Sequence, residues 1–330
     1  MSSEGGERGA DDDVVRWPLV AKVGIAIAVL TIVGGIVAAL FAAFVVDRGD
    51  SASVIIDDAV DPLAPVALAE GGFIYGERTT GRIIRSTRAG ETMATVEIED
   101  ELATDGQRGL LGLAVRRSGD ATDIYASWTR ADDGRLVVGR LASGRINLVW
   151  EGPVSADRAN GGTLAFRGDE LLVSIGDLED PASVDDPEAP NGKIFALDPE
   201  AGVDQQATVV SSGWNNPFAM TVLAEDIWVV DNAPGDTPER IVRITPSGDE
   251  AVLELEGEMR APSSLAVLPD GDLVVCGFVS EIIERIPVPD DGVAAPTEEL
   301  GPPCATGVAV LADGSIVSTT ADAVWREPHS

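Results

Sequence analysis

After about residue 60, short apolar runs alternate with turns containing Gly, Asp and Pro almost to the end of the chain. Each run is a few residues rich in Val, Ile and Leu, which is the signature of a β-strand bounded by turns. The runs fall into a repeating unit: an apolar segment, a Gly/Asp turn, a second apolar strand, and a third strand carrying arginine. The unit reads PVALAEGGFIYGERTTGRIIRS from Pro65 and LLGLAVRRSGDATDIYASWTRADDGRLVVGRL from Leu110. It returns as GGTLAFRGDELLVSIGD from Gly161, with its third strand GKIFALDP from Gly192, and as PFAMTVLAEDIWVVDNAPGDTPERIVRIT from Pro217. The fifth copy is PSSLAVLPDGDLVVCGFVSEIIERIPV from Pro262 and the sixth is ATGVAVLADGSIVSTTADAVWRE from Ala305.

Aligning the first apolar strands at Leu68, Leu113, Leu164, Met220, Leu265 and Val308 gives a period of roughly 45–55 residues, the length of a four-stranded propeller blade. PDGDL at Pro269 and ADGSI at Ala312 are Asp-Gly hairpin signals. A β-sandwich also alternates short strands, but it does not repeat six times at this period. The pattern therefore predicts an all-β, six-bladed β-propeller over residues 62–330. The sixth copy ends after AVWRE with three strands, so SVIID at Ser53–Asp57 is the expected ring-closing strand, within a linker at 47–61. Closure of this kind removes two exposed sheet edges.

A different pattern precedes the repeats. No charged residue occurs from Val23 to Val46. As a helix rising about 1.5 Å per residue, that run exceeds a bilayer core of roughly 30 Å. A cleaved signal peptide has an apolar region of only about 7–15 residues. The expectation is one transmembrane helix at 19–46, after a polar, disordered tail at 1–18. Arg8, Arg16 and Lys22 lie before the uncharged run, and Arg48 is the only close basic residue after it. That bias keeps the N-terminus cytoplasmic and places the propeller outside the cell membrane.

Asp and Glu outnumber Lys and Arg by 56 to 23, a formal charge of −33. A field of that sign repels phosphate backbones and excludes a nucleic-acid partner. Lys22 and Lys193 are the only lysines. This balance suits solvation at high salt, and equally an acidic, arginine-using proteome; it speaks to environment and not to chemistry.

The motifs DGQRGLLGLAV at Asp105, ANGGTLAF at Ala159, LLVSIGD at Leu171, NGKIFALDP at Asn191, GWNNPFAM at Gly213 and IWVVDNAP at Ile227 occur in this order. The run resembles the soluble quinoprotein glucose dehydrogenase and aldose sugar dehydrogenase family, the glucose/sorbosone dehydrogenases, over about residues 60–327. The resemblance implies a six-bladed propeller holding pyrroloquinoline quinone (PQQ), usually with calcium, at the top of its channel to oxidise a sugar C1 hydroxyl. Asn160, Gly161, Gly162, Asn215 and Asn216 fall at the family's cofactor-binding positions.

Several departures accompany the resemblance. The family's histidine before Asn-Gly-Gly is Ala159 here, and His329 is the only histidine in the chain. In Trp214-Asn215-Asn216-Pro217 the family's arginine is replaced by Asn215. The lysine of the fifth blade aligns with Val279, and the arginine pair opening the sixth with Cys304 and Thr306. PQQ carries three carboxylates and needs cations around it, while hydride removal needs a general base, normally histidine. Asp157 is the nearest substitute base, and Arg158 and Arg108 the nearest substitute cations. An anion so poorly paired in an acidic domain would be costly to bury. No catalytic residue is therefore assigned, and the expected role is a ligand- or partner-binding module with a sugar or protein ligand at the channel mouth. The alternatives are a PQQ-dependent aldose dehydrogenase and a calcium-dependent lactonase-type hydrolase. The latter lacks a Glu near the start of the first blade with matching Asn and Asp later.

Cys276 and Cys304 are the only cysteines. An even pair in an exported, oxidising compartment predicts a disulfide over two free thiols. The resemblance places both near the channel mouth on neighbouring blades. Asp231, Asn232, Asp236 and Glu239 form an oxygen-rich loop, either a calcium site or a solvated acidic loop. Leu178–Pro190 reads as a surface excursion. Trp150, Trp214, Trp228 and Trp325 are expected between blades, with Trp214 the candidate to face a ligand.

Overall fold

The second and third strands of the repeats are mainly apolar because neighbouring blades cover them. FIYGE at Phe73–Glu77, KIFAL at Lys193–Leu197 and LVVCG at Leu273–Gly277 are buried at every position. The computed structural model describes residues 52–98, 102–118, 121–142, 145–233, 237–248, 250–255, 259–289 and 295–328. The expected tail and transmembrane helix, and residues Asp236 and His329, lie outside the described residues.

After an initial strand β1 (Ser53–Ile56), the chain builds six four-stranded antiparallel sheets. Blade 1 is β2 (Pro62–Ala67), β3 (Phe73–Glu77), β4 (Arg82–Ser86) and β5 (Thr92–Glu97). Blade 2 is β6 (Leu110–Ser118), β7 (Ala121–Thr129), β8 (Arg135–Ala142) and β9 (Arg145–Val154). Blade 3 is β10 (Gly161–Arg167), β11 (Glu170–Ile175), β12 (Lys193–Leu197) and β13 (Thr208–Ser212). Blade 4 is β14 (Pro217–Leu223), β15 (Asp226–Asp231), β16 (Glu239–Ile244) and β17 (Glu250–Leu255). Blade 5 is β18 (Pro262–Val267), β19 (Leu273–Gly277), β20 (Ile283–Ile286) and β21 (Glu298–Leu300). Blade 6 is β22 (Gly307–Val310), β23 (Ile316–Thr319), β24 (Val324–Glu327) and, outermost, β1.

The ring is thus closed by pairing the first strand with the last, Val54 opposite Trp325 and Ile56 opposite Val324. Among the described residues the helical structure is one 3-10 turn, Pro181–Ser183, within the exposed loop between β11 and β12, and no helix is long and apolar enough to cross a membrane. The repeat alignment differs from the structure at Leu68. It lies one residue past β2, where its N–H closes the turn onto the Gly72 carbonyl at 3.1 Å. In the Asp-Gly turns, Gly271 and Gly314 adopt φ of +95° and +81°, which glycine tolerates without Cβ strain.

The core is distributed between neighbouring blades. Ile74 and Ile83 of blade 1 meet Trp128 and Val137 of blade 2, and Tyr125 and Trp150 of blade 2 meet Leu171 and Phe195 of blade 3. Corresponding clusters join blades 3 and 4, 4 and 5, 5 and 6, and finally 6 and 1. Each blade is a thin sheet that buries its two faces only against its neighbours, so stability depends on the ring being complete.

Cys276 at the end of β19 is bonded to Cys304, just before β22, with Cα atoms 5.6 Å apart and both residues fully buried. The bridge ties blade 5 to blade 6. The sequence separation of 28 residues corresponds to about 3–4 kcal/mol of loop-closure entropy removed from the unfolded chain. Replacing both cysteines by alanine should lower the melting temperature by about 6 °C for a domain of this size, read by calorimetry. An unchanged melting temperature would show that the bridge contributes nothing to folding stability.

Candidate functional site

The six inner strands leave a central channel of about 460 Å³, lined chiefly by Ala, Val, Leu and Thr side chains. Toward the N-terminal ends of those strands it opens into a mouth of about 260 Å³. The two spaces share Ala64, Thr163, Ala219 and Ser264 in their walls. The mouth is built from strand beginnings and connecting loops of blades 1 to 6, with Leu63, Leu110, Leu111, Phe218, Pro262 and Phe278 as its main apolar surface. Its polar groups include Asp61, Arg78, Gln107, Thr163, Asn232 and Thr306.

Arg78 is the arginine of this lining, and its donors are committed. Nε lies 2.7 Å from Asp61 Oδ2, and Nη1 donates to the carbonyls of Gly106 and Arg108 at 3.1 and 2.8 Å. Asp61 is presented by a left-handed turn (φ +51°), and its carbonyl accepts the Arg78 N–H at 3.0 Å. The guanidinium therefore laces blade 1 to the loop entering blade 2, and its charge is cancelled locally. The neighbouring cations are engaged in the same way. Arg108 pairs with Asp105 at 2.5 Å and Asp157 at 3.0 Å, and the exposed Arg158 lies 3.5 Å from Glu179.

The motif residues between blades 3 and 4 form a buried polar lattice. Asn160, 2% exposed, clasps its own turn, accepting the Ala156 N–H at 2.8 Å and donating to the Ala156 carbonyl at 3.1 Å. The Gly161 N–H donates to Asn216 Oδ1 at 3.2 Å. A Cβ at Gly162 would lie 2.5 Å from Leu111, so blades 2 and 3 approach each other only because glycine stands there. Asp231, fully buried, accepts the N–H groups of Asn215 and Asn216 at 3.2 and 2.8 Å and pairs with Arg240 at 2.8 Å. Burial pushes the Asp231 carboxyl above its ordinary range, with Arg240 opposing the shift. Asp177, also buried, is raised chiefly by burial and further by the Asp231 charge, while the Glu179 N–H on Oδ1 (2.8 Å) works against the rise. The Asn160 and Asn216 side chains thus serve nearby backbone groups, and the Asn215 N–H is held by Asp231, and none of these three lines the mouth.

Other expected residues fall as follows. Ala159 is half-buried with φ +54°, and its N–H is accepted by Oε1 of Gln107, which lines the mouth. Thr306 also lines the mouth, but its hydroxyl donates to the Pro62 carbonyl. Cys304 is taken by the disulfide, and Val279 sits two residues beyond β19, largely exposed. Of the oxygen-rich set, Asp231 faces Arg240, and Glu239 accepts the N–H groups of Arg260 and Ala261 at 2.9 and 2.7 Å. Asn232 lines the mouth, and Asp236 lies outside the described residues. Among the described residues no three His, Cys, Asp or Glu side chains gather as a metal site.

Trp214 does not face the mouth. It is 1% exposed in the cluster between blades 3 and 4, its Nε1 donates to Ser211 Oγ, and Arg240 lies over its ring at 5.0 Å. Trp150 and Trp228 pack between blades. Sequence reasoning missed Asp61, Arg78, Phe218 and Phe278, whose convergence depends on the ring. It also missed Lys193, which is buried and donates to the carbonyls of Val184, Asp186 and Asn191, pinning the acidic loop. Its standing as the one lysine after the apolar N-terminal run was the available signal.

PQQ needs cations for three carboxylates. Among the described residues the mouth supplies one guanidinium, already bound to a carboxylate and backbone carbonyls, so these residues do not fit that cofactor.

Comparison with known proteins places this architecture. Residues 60–247 match the model of the family described as Glucose / Sorbosone dehydrogenase. Among solved structures, a glucose dehydrogenase superposes with a TM-score of 0.72 at 19% identity, covering 85% of this chain and 100% of that one. The PQQ-bound form of an aldose sugar dehydrogenase from Streptomyces coelicolor gives 0.71 at 20% identity, over 85% and 98%. The soluble aldose sugar dehydrogenase from Escherichia coli, in its apo-form, gives 0.68 at 18%, over 84% and 99%. No curated protein matches the chain in sequence. At these identities the structural likeness speaks to the fold.

Proposed function

The chain belongs to the glucose/sorbosone dehydrogenase family, and from that premise we propose that it is a non-catalytic, ligand-binding propeller tethered to the outer face of a membrane. The observation that carries this reading is the state of the mouth. Its arginine is spent on Asp61 and on the loop carbonyls, and Ala159 stands where the family's base would be. Proton abstraction from a sugar hydroxyl needs a base within hydrogen-bond reach and with a suitable pKa. The nearest carboxylate by sequence, Asp157, is exposed and paired with Arg108. The uncharged run Val23–Val46 and the basic residues before it support the tether and its orientation.

The test is a calorimetric titration of the full-length chain with PQQ in calcium-containing buffer. No binding at micromolar concentrations, and no aldose-dependent dye reduction, are the expected results. Micromolar or tighter binding with aldose-dependent dye reduction would establish a dehydrogenase instead.

A further inference from the structure

We propose that the channel mouth is a binding site for a small, uncharged, ring-bearing molecule with one or two hydrogen-bonding groups. This rests on the reading that no anionic quinone is held there. Three observations converge on the mouth.

The first is an unexplained aromatic. Phe278 is 58% exposed yet lines the cavity. Its turn is held rigidly, with the Phe278 N–H on the Ala261 carbonyl at 2.8 Å, Val279 on Arg260 at 2.9 Å, and Glu281 on Gly277 at 2.9 Å. A phenyl ring fixed at the rim of a cavity, with little packing of its own, offers a face to a planar ligand. Phe218 and Leu111 continue that apolar wall inward.

The second is the set of polar groups left over. Among the described residues the Asn232 side-chain amide and the Thr163 hydroxyl make no hydrogen bond, and Gln107 uses Oε1 but not Nε2. All three are neutral. A few neutral donors and acceptors in an otherwise apolar concavity orient a ligand without demanding charge.

The third is charge balance. Asp61 and Arg78 cancel each other inside the lining, so among the described residues the mouth offers neither a free cation to an anion nor a free carboxylate to a cation. The chain's formal charge of −33 further disfavours an anionic guest. The cavity, about 260 Å³, falls just below the usual range of ligand pockets, about 300–1,000 Å³, and suits one or two rings.

The experiment uses a matched pair of probes, neutral 2-naphthamide and anionic 2-naphthoate. Each is titrated calorimetrically into the full-length chain in lipid nanodiscs, with empty nanodiscs as the blank. Saturable binding of the amide, at least tenfold tighter than the carboxylate, is expected. Phe278→Ala and Asn232→Ala should each weaken the amide at least fivefold. Phe278 is exposed, so its replacement leaves the blade packing intact, and circular dichroism checks both variants for folding. Equal or tighter binding of naphthoate, no saturable binding of the amide, or binding indifferent to both substitutions would each overturn the proposal. The PQQ titration separates the two readings: PQQ binding with aldose-dependent dye reduction defeats the functional reading itself, whereas failure of both PQQ and naphthamide to bind defeats only this site.

Discussion

A chain beginning at Asp58 should not reach the cooperatively folded state that a chain beginning at Ala52 reaches. The difference is the single strand β1. It is the outer strand of blade 6, paired with β24 along Ser53–Arg326, Val54–Trp325 and Ile56–Val324. Ile56 is buried in the cluster that joins blade 6 to blade 1, with Phe73, Tyr75, Ile84, Val317 and Val324. The Ile55 carbonyl also lies where a Cβ on Gly90 of blade 1 would collide. Removing the strand deletes a buried isoleucine, worth about 2–5 kcal/mol by truncation, and leaves β24 as an open edge prone to pairing with other chains. A loss of about 2–5 kcal/mol or more is a large part of the stability of a typical domain, about 5–15 kcal/mol. Urea unfolding followed by tryptophan fluorescence reads the result, with size-exclusion chromatography reporting aggregation through the open edge. A shortened chain that unfolds at the same urea midpoint as the longer one would show that closure is dispensable.

Asp231→Ala and Asp177→Asn, two changes in one buried lattice, should move stability in opposite directions. Asp231 accepts the N–H groups of Asn215 and Asn216 and pairs with Arg240. Alanine leaves two backbone donors and a guanidinium without their acceptor in a buried site, a loss of about 3 kcal/mol. Asp177 differs because no cation among the described residues is paired with it; its carboxyl is raised by burial and by the Asp231 charge. A carboxyl raised in the folded state binds its proton more tightly there than in the unfolded chain. The wild type therefore loses stability as pH rises from the unfolded carboxylate value through the raised folded value. Asparagine keeps an oxygen for the Glu179 N–H and carries no charge. Asp177→Asn should raise the urea midpoint at pH 7, and the gain should vanish below about pH 4, where the unfolded carboxylate is itself protonated. Midpoints at pH 4 and pH 7 check both. A destabilised Asp177→Asn at pH 7, or an Asp231→Ala variant as stable as the wild type, would contradict this account of the lattice.

The sequence by itself determined the fold of the described domain. Blade strands are short, local and apolar, and each repeat carries its own turn glycines, so the count of six and the missing fourth strand of the last copy are written in linear order. The pairing of Cys276 with Cys304 was equally legible, from there being one pair in the chain, while the reading of Ala159 as the position of the family's histidine came from the resemblance and not from the residues themselves. Only the tertiary structure decided what the motif residues do. Asn160, Asn216 and Asp231 had the look of ligand contacts, yet they satisfy buried backbone groups between blades 3 and 4. Trp214, suspected of facing a ligand, packs instead in the apolar cluster between blades 3 and 4, beneath the guanidinium that Arg240 extends to Asp231. The physical reason is that the mouth is assembled from the loops of every blade, so residues as distant as Asp61 and Thr306 meet only when the ring closes. Whether an arginine such as Arg78 is free to bind an anion depends on the partners that closure brings to it, and linear order does not carry that information.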